Sequence, residues 1–247
     1  MKILLTADLH YRSHWFQWLI DQSPKYDLVC IAGDFLDIFH PEPRESQARA
    51  VSTLVRELAQ RTRVAVCSGN HDDAGRLITA DRAPVYEWFA RLGDNPKITT
   101  DGSTQVIDNL IVTALPYHSS RPEKAIWLDR GRSIRMQRGG QWLVLHHVPP
   151  SVGPNDSGEE REAAGILAAY QPDYFLAGHI HQFPYLGGNA PVKRIDRTTL
   201  IVPGQLLSAP FPSHVMLDTQ AGLILWQAAS AEWIPETFGD RFALKFE

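Results

Sequence analysis

Residues 63–73 read RVAVCSGNHDD, an apolar run that breaks at once into Gly69, Asn70, His71, Asp72 and Asp73. Short runs rich in Val, bounded by Gly and Asn, read as a buried strand that ends in a turn. A plain turn needs only one or two special residues, yet this one carries an amide, an imidazole and two carboxylates. The same arrangement recurs along the chain. KILLTA (2–7) is followed by Asp8 and His10, and DLVCIA (27–32) by Gly33, Asp34 and Asp37. WLVLHH (142–147) closes on His146 and His147, and DYFLAG (173–178) leads into His179 and His181.

These runs, with LIVTAL (110–115), are continuously apolar rather than alternating, which is the pattern of strands covered on both faces. Between them, residues 44–60 place Ala48, Val51, Leu54, Val55 and Leu58 at helical spacing, and 83–92 and 158–170 are weaker patterns of the same kind. The result is an α/β chain. Ligands of open α/β sheets bind at the carboxyl ends of strands, so five polar strand ends have a common place to meet. Toward the C-terminus TTLIVPG, HVMLD and GLILWQA read as a β-rich end that extends a sheet. We expect one domain over 1–247, with the polar motifs within 8–204 and a β-rich completion over 205–247.

Composition narrows the function classes. The formal net charge of −4 offers no overall attraction to nucleic acid or anionic lipid. Asp8 interrupts the first apolar run too early for a signal peptide, and no stretch is long enough to span a bilayer. Cys30 and Cys67 lie inside strand-like runs, as buried thiols of a reducing compartment would, so the expected location is cytoplasmic. Arg130, Arg132, Arg135 and Arg138 form the one concentrated basic run, which we read as a solvated face. His14, Trp15 and Trp18 read as a helix burying its aromatics.

Carboxylates, one amide oxygen and several imidazoles suit Mn²⁺, Fe²⁺ or Zn²⁺ better than Ca²⁺ or a thiolate site. The donors suffice for two ions, and a pair about 3.5–4 Å apart can clamp a phosphoryl group. Singly, each motif is also ordinary turn or capping chemistry. Five in succession, each at the end of a strand, are not explained that way.

The series DLH, GDFLD, GNHDD, LHH and GHIH resembles the calcineurin-like metallophosphoesterase superfamily over roughly residues 8–181, and Pro203-Gly204 falls where that family often has a similar turn. The resemblance implies a four-layer αββα sandwich, two mixed sheets flanked by helices. It implies two divalent ions, Mn²⁺ first, with Fe²⁺, Zn²⁺ or Ni²⁺ as alternatives. Asp8, His10 and His181 would hold one ion, Asn70, His146 and His179 the other, and Asp34 would bridge them. His146 is preferred over His147 because the family's ligand is normally the first of such a pair. His71 would be the general acid, with Asp37 orienting it, and a bridging hydroxide would attack in line.

The family's protein phosphatases usually follow the second motif with Arg-Gly and the third with Glu. Here Ile38-Phe39 follow Asp37, and Asp72 follows His71. The expected activity is therefore phosphodiester hydrolysis, on a small phosphodiester or nucleotide. Tyr117 and His118 are candidate substrate contacts. The rival readings are a DNA or RNA nuclease of the repair-exonuclease branch and, behind it, a non-catalytic scaffold. No membrane partner is expected, and the oligomeric state is not legible.

Overall fold

The computed structural model describes residues 1–72, 87–151, 153, 156–182, 190–229 and 241–245, with the backbone alone for the last segment. The chain begins β1 (Lys2–Thr6), α1 (Ser13–Gln22), β2 (Leu28–Ala32), α2 (Arg44–Arg61), β3 (Arg63–Cys67), α3 (Glu87–Ala90) and β4 (Ile98–Thr99). It continues β5 (Ser103–Ile107), β6 (Leu110–Ala114), α4 (Arg121–Arg138), β7 (Gln141–Leu145), α5 (Gly158–Tyr170) and β8 (Tyr174–Leu176). It closes with β9 (Val192–Ile195), β10 (Thr198–Ile201), β11 (His214–Asp218), β12 (Leu223–Gln227) and β13 (Arg241–Lys245).

Two mixed sheets result. The seven-stranded sheet has the order β13-β12-β11-β1-β2-β3-β4, and the six-stranded sheet β5-β6-β7-β8-β10-β9. β1, β2, β3 and β4 run parallel, as do β6, β7, β8 and β10. Each parallel group therefore presents its carboxyl ends along one edge of its sheet. β11 adds antiparallel beside β1, pairing Lys2 with Asp218, and the C-terminal hairpins extend the sheet outward from there.

One apolar cluster joins the sheets, with Ile3, Leu5 and Val66 of the first packed in the same core as Val112, Leu143 and Leu145 of the second. Trp15, Phe16, Val51 and Val55 bring α1 and α2 into that cluster. On the far face of the second sheet, Trp142, Val144 and Phe175 pack beneath Leu128 of α4 and Ile166 and Leu167 of α5. The architecture is the helix–sheet–sheet–helix sandwich that the resemblance implies. Trp15 and Phe16 are buried and Trp18 partly so, on a helix as expected.

α4 is a helix that apolar spacing does not announce. Ser120 and Glu123 form a capping box and Pro122 enters the first turn, which starts the helix firmly. Its buried stripe, however, is Lys124, Leu128 and Gly131. Gly131 lies so close to the sheet that a Cβ would come within 2.7 Å of Thr113 Oγ1 and of the Trp142 ring. Of the helical pattern at 83–92, residues 87–90 form α3, a 3₁₀ turn covers Arg91–Asp94, and 83–86 lie outside the described residues. Among the described residues, no helix is long and apolar enough to cross a membrane.

Candidate metal centre

The loops leaving β1 and β2, and those leaving β7 and β8, are joined through their backbones. Asp8 N donates to Gly33 O at 2.9 Å, His10 N to Asp34 O at 2.9 Å, and Gly178 N to His147 O at 2.8 Å. Asp8, His10, Asp34 and His179 all take positive φ, between 42° and 68°. Left-handed backbone at non-glycine residues is uncommon and costs energy, and Asp and His tolerate it better than most. Gly33, at φ +83°, could carry no side chain, because a Cβ there would run into the His147 imidazole.

Two groups of donors share Asp34. In the first, Asp8, His10, Asp34 and His181 each offer one ligand atom within 4.8 Å of the others. His10 Nε2 and His181 Nε2 are 2.8 Å apart, one donating to the other, and His10 Nε2 lies 3.8 Å from Asp34 Oδ2. His181 Nε2 is 3.8 Å from Asp8 Oδ1, and that oxygen also accepts from His179 N. In the second group, Asn70 Oδ1 accepts from His147 Nε2 at 2.9 Å and from His179 Nδ1 at 2.8 Å, while His147 Nε2 lies 3.3 Å from Asp34 Oδ1.

The histidine expected in the second group is His146, and the structure puts His147 there instead. Residues along β7 alternate between faces: Leu143 and Leu145 enter the core between the sheets, Trp142 and Val144 the core under α4 and α5. His146 continues the second series. It is buried with its ring 6.0 Å from Phe175, its Nδ1 donating to Val148 O at 2.9 Å. His147 continues the first series and reaches the shared carboxylate. The signal lies in strand parity, which is hidden because both faces of β7 are apolar.

Asp72 is fully buried and serves the loops. Its Oδ1 accepts from Phe35 N and Leu36 N, its Oδ2 from Gly69 N, so it ties the turn after β3 to the turn after β2. His71 N donates to Asp34 Oδ1 at 2.9 Å, and the His71 ring lies edge-on to His10 at 4.6 Å. His71, Asp37 and His10 bring one ligand atom each within 4.8 Å of the others. Asp37 Oδ1 accepts from Phe39 N, while His71 Nδ1 is buried with no hydrogen-bond partner among the described residues.

Tyr117 stands beside the second group, its ring 5.8 Å from His147 and its hydroxyl donating to Glu159 at 2.8 Å. His118 packs edge-on against Tyr117 and faces a neighbouring cavity of about 320 Å³ that Ser68, Phe89 and Asp101 also line. The Arg run occupies the second half of α4, at the opposite end of the helix from the strand ends. Arg132 pairs there with Asp129, and Arg135 with Asp173.

The electrostatics favour a cation. Burial pushes the His10 imidazole down to about 4 and lowers His179 and His181, which leaves these rings neutral with lone pairs to share. Burial raises Asp8 to about 7. Burial works on Asp34 in the same direction, but the His147 imidazolium outweighs it and holds that carboxyl below the usual range. Burial would lower His147, yet the Asp34 and Asp8 carboxylates push it up to about 10. Its nitrogens agree, since Nδ1 faces Ala32 O and Nε2 faces Asn70 Oδ1, both acceptors. A proton on His147 thus provides the positive charge the carboxylates need, and the buried Asp8 Oδ2 still has no partner among the described residues. Oxygen and imidazole donors around a buried carboxylate oxygen with no partner among the described residues fit a divalent cation.

Comparison with known proteins gives the family and the fold. Residues 1–183 match the sequence model of the calcineurin-like phosphoesterases, and the chain belongs to that family. No curated protein matches the chain. Among solved structures it resembles TT1561 of Thermus thermophilus, at TM-score 0.62 and 13% identity over 89% of this chain and 95% of that one. It also resembles a dimetal phosphatase from Danio rerio, at TM-score 0.51 and 12% identity over 92% and 95% of the two chains. A Vps29 single mutant from Entamoeba histolytica aligns over 100% of both chains, at TM-score 0.46 and 16% identity.

Proposed function

We propose that the chain is a metal-dependent phosphodiesterase with a two-ion centre, acting on a small phosphodiester or nucleotide. The observation that carries this is the shared carboxylate: Asp34 presents Oδ2 to His10 and Oδ1 to His147, and His147 in turn meets Asn70. Asp8, His10 and His181 would hold one ion with Asp34, and Asn70, His147 and His179 the other. When bound, the ions, Mn²⁺ first among them, neutralise phosphoryl charge and make water a nucleophile near neutral pH.

The chain's own residues do the rest. Asp34 fixes His71 through its backbone amide, so the imidazole is positioned relative to the centre before substrate arrives. In the hydrolysis, water adds to phosphorus and gives up one proton to solvent, one ester P–O bond breaks, and His71 gives a proton to the departing alkoxide and recovers one from solvent. Asp37 stands beside His71, within 4.8 Å of it, as the carboxylate that would orient the ring. A monoester carries a second phosphate charge that calls for a nearby cation. After Asp37 this chain offers the exposed Ile38 and Phe39 instead, which suits the single charge of a diester. The nuclease alternative gains little from the Arg run, which lies at the far end of α4 and in which Arg132 and Arg135 are paired. Cys30 and Cys67, free and buried, are in keeping with a cytoplasmic protein.

The test is turnover of bis-p-nitrophenyl phosphate by Mn²⁺-loaded protein, compared with p-nitrophenyl phosphate. The diester is expected to be the better substrate, Asp34→Asn to abolish turnover, and His71→Ala to lower kcat about 10²–10⁴-fold. No diester turnover with Mn²⁺, Fe²⁺, Zn²⁺ or Ni²⁺ would refute the reading.

A further inference from the structure

The loop after β2 carries an aromatic residue, Phe39, whose ring the core does not bury. Phe39 is 84% exposed, one of the most exposed large apolar side chains among the described residues, and the adjoining Ile38 is 37% exposed. A single exposed apolar residue is ordinary by itself. This one is held in place. Gln47 of α2, fully buried, accepts from Asp37 N and donates to Asp37 O and Glu42 O, so one side chain pins both ends of the 37–42 loop. Within the loop, Phe39 N donates to Asp37 Oδ1, and His40 is braced edge-on by Tyr11 at 4.9 Å. The Phe39 ring then meets His71, with centroids 6.0 Å apart at 71°. The loop therefore presents an aromatic face to solvent next to the imidazole that faces the departing oxygen.

We infer that Phe39 is a specificity-determining residue, the stacking platform for a planar aromatic group carried on the leaving side of the substrate. This rests on the phosphodiesterase reading for the place of His71. A group departing beside His71 emerges over Phe39, and a planar ring there gains a stacking partner that an aliphatic group of equal size does not. The planar group is a nucleobase or a simple aryl ester, and both present the same π face to the same ring. Tyr117 does not duplicate the platform, since its hydroxyl is tied to Glu159 and its ring lies against His147 on the other side of Asp34.

Equilibrium binding to the Mn²⁺-loaded full chain, measured by calorimetry, tests this without depending on turnover. One arm compares AMP with ribose 5-phosphate, the other phenylphosphonate with cyclohexylphosphonate. In the wild type, the aromatic member of at least one pair binds about tenfold tighter, the scale of one base stacked on one aromatic ring. Which arm shows the preference identifies the source of the ring. Phe39→Leu keeps apolar bulk and loses the preference, while Phe39→Tyr retains it. With a diester substrate, Phe39→Leu raises KM for the aromatic ester more than it lowers kcat. Equal preference in wild type and Phe39→Leu overturns the inference and leaves diester turnover, and so the proposed function, standing. A Phe39→Leu defect confined to phospholipid vesicles overturns it too, because the loop would then be a lipid contact.

Discussion

Replacing His147 and His146 by alanine in turn separates two neighbours that follow β7 directly and lie on opposite sides of its sheet. His147 Nε2 sits 2.9 Å from Asn70 Oδ1 and 3.3 Å from Asp34 Oδ1. His147→Ala deletes a nitrogen donor from the second group. Loss of a residue that merely supports a ligand costs about 10–100-fold in metal affinity, so loss of the donor itself is expected at the upper end or beyond. It also strips the 2%-exposed Asp34 of its counter-charge, which costs the metal-free protein about 3–5 kcal/mol. His146→Ala removes one hydrogen bond to Val148 O and some packing against Phe175, and its Nε2 has no partner among the described residues. That amounts to about 1–3 kcal/mol, with Tm falling about 2–4 °C for each. The assay is metal titration against a competing chelating dye, with stoichiometry by elemental analysis and calorimetry of both apoproteins. His147→Ala should fill the second site at least about 100-fold more weakly than wild type, whereas His146→Ala should keep wild-type affinity at a lower Tm. Loss of an ion by His146→Ala, with wild-type loading of His147→Ala, would refute the parity argument.

The remaining predictions concern the same centre. The proton that Asp34 and Asp8 hold on His147 up to about pH 10 must leave before the ring can bind a cation. Metal affinity should therefore rise about tenfold per pH unit between 7 and 9, and more steeply below 7, where Asp8 also carries a proton. Titration in buffers of different ionisation enthalpy reads the released proton, and a pH-independent affinity would contradict the assignment. Without metal, the raised His147 value means that its stabilisation is complete below about 6.5 and is lost as pH rises through about 10. The apoprotein should melt lower at pH 10 than at pH 7. Gly178→Ala would put a Cβ 2.6 Å from Ala7 Cβ, 2.7 Å from Asp8 Oδ2 and 2.9 Å from Ala32 O. It should cost about 1–3 kcal/mol of stability, read by thermal melting, and lower metal occupancy by pushing Asp8 aside. An unchanged Tm and full occupancy would show that the turn has room to relax.

The central strands were legible because each is a continuous apolar run, and the gathering of polar side chains was legible because each follows the end of such a run. Asp8, His10, Asp34, Asn70, His179 and His181 meet as their positions suggested. His147 was not separable from His146, since two-sided burial erases the alternation that marks a strand's faces. α4 was missed for a similar reason. Its inward stripe uses Lys124, neutralised by Glu162 at 2.9 Å, and Gly131, which permits close approach to the sheet, so its core face does not look apolar. The cap Ser120-x-x-Glu123 was there to be read. β5 is a short edge strand of mixed polarity, with Thr104 bonded to Thr113 of β6, and offers little pattern.

The positive φ angles at Asp8, His10, Asp34 and His179 bear on how such a centre is kept over generations. Each of these positions rewards glycine with a relaxed backbone, and glycine there would also remove a donor. In a chain screened only for thermal resistance without metal, Asp8→Gly and His179→Gly would compete on favourable terms, since they relieve backbone strain and unburden the interior of polar groups. A library sorted by folding alone would therefore drift toward losing the centre. Only a sort that demands cation binding or turnover would hold these four residues in place.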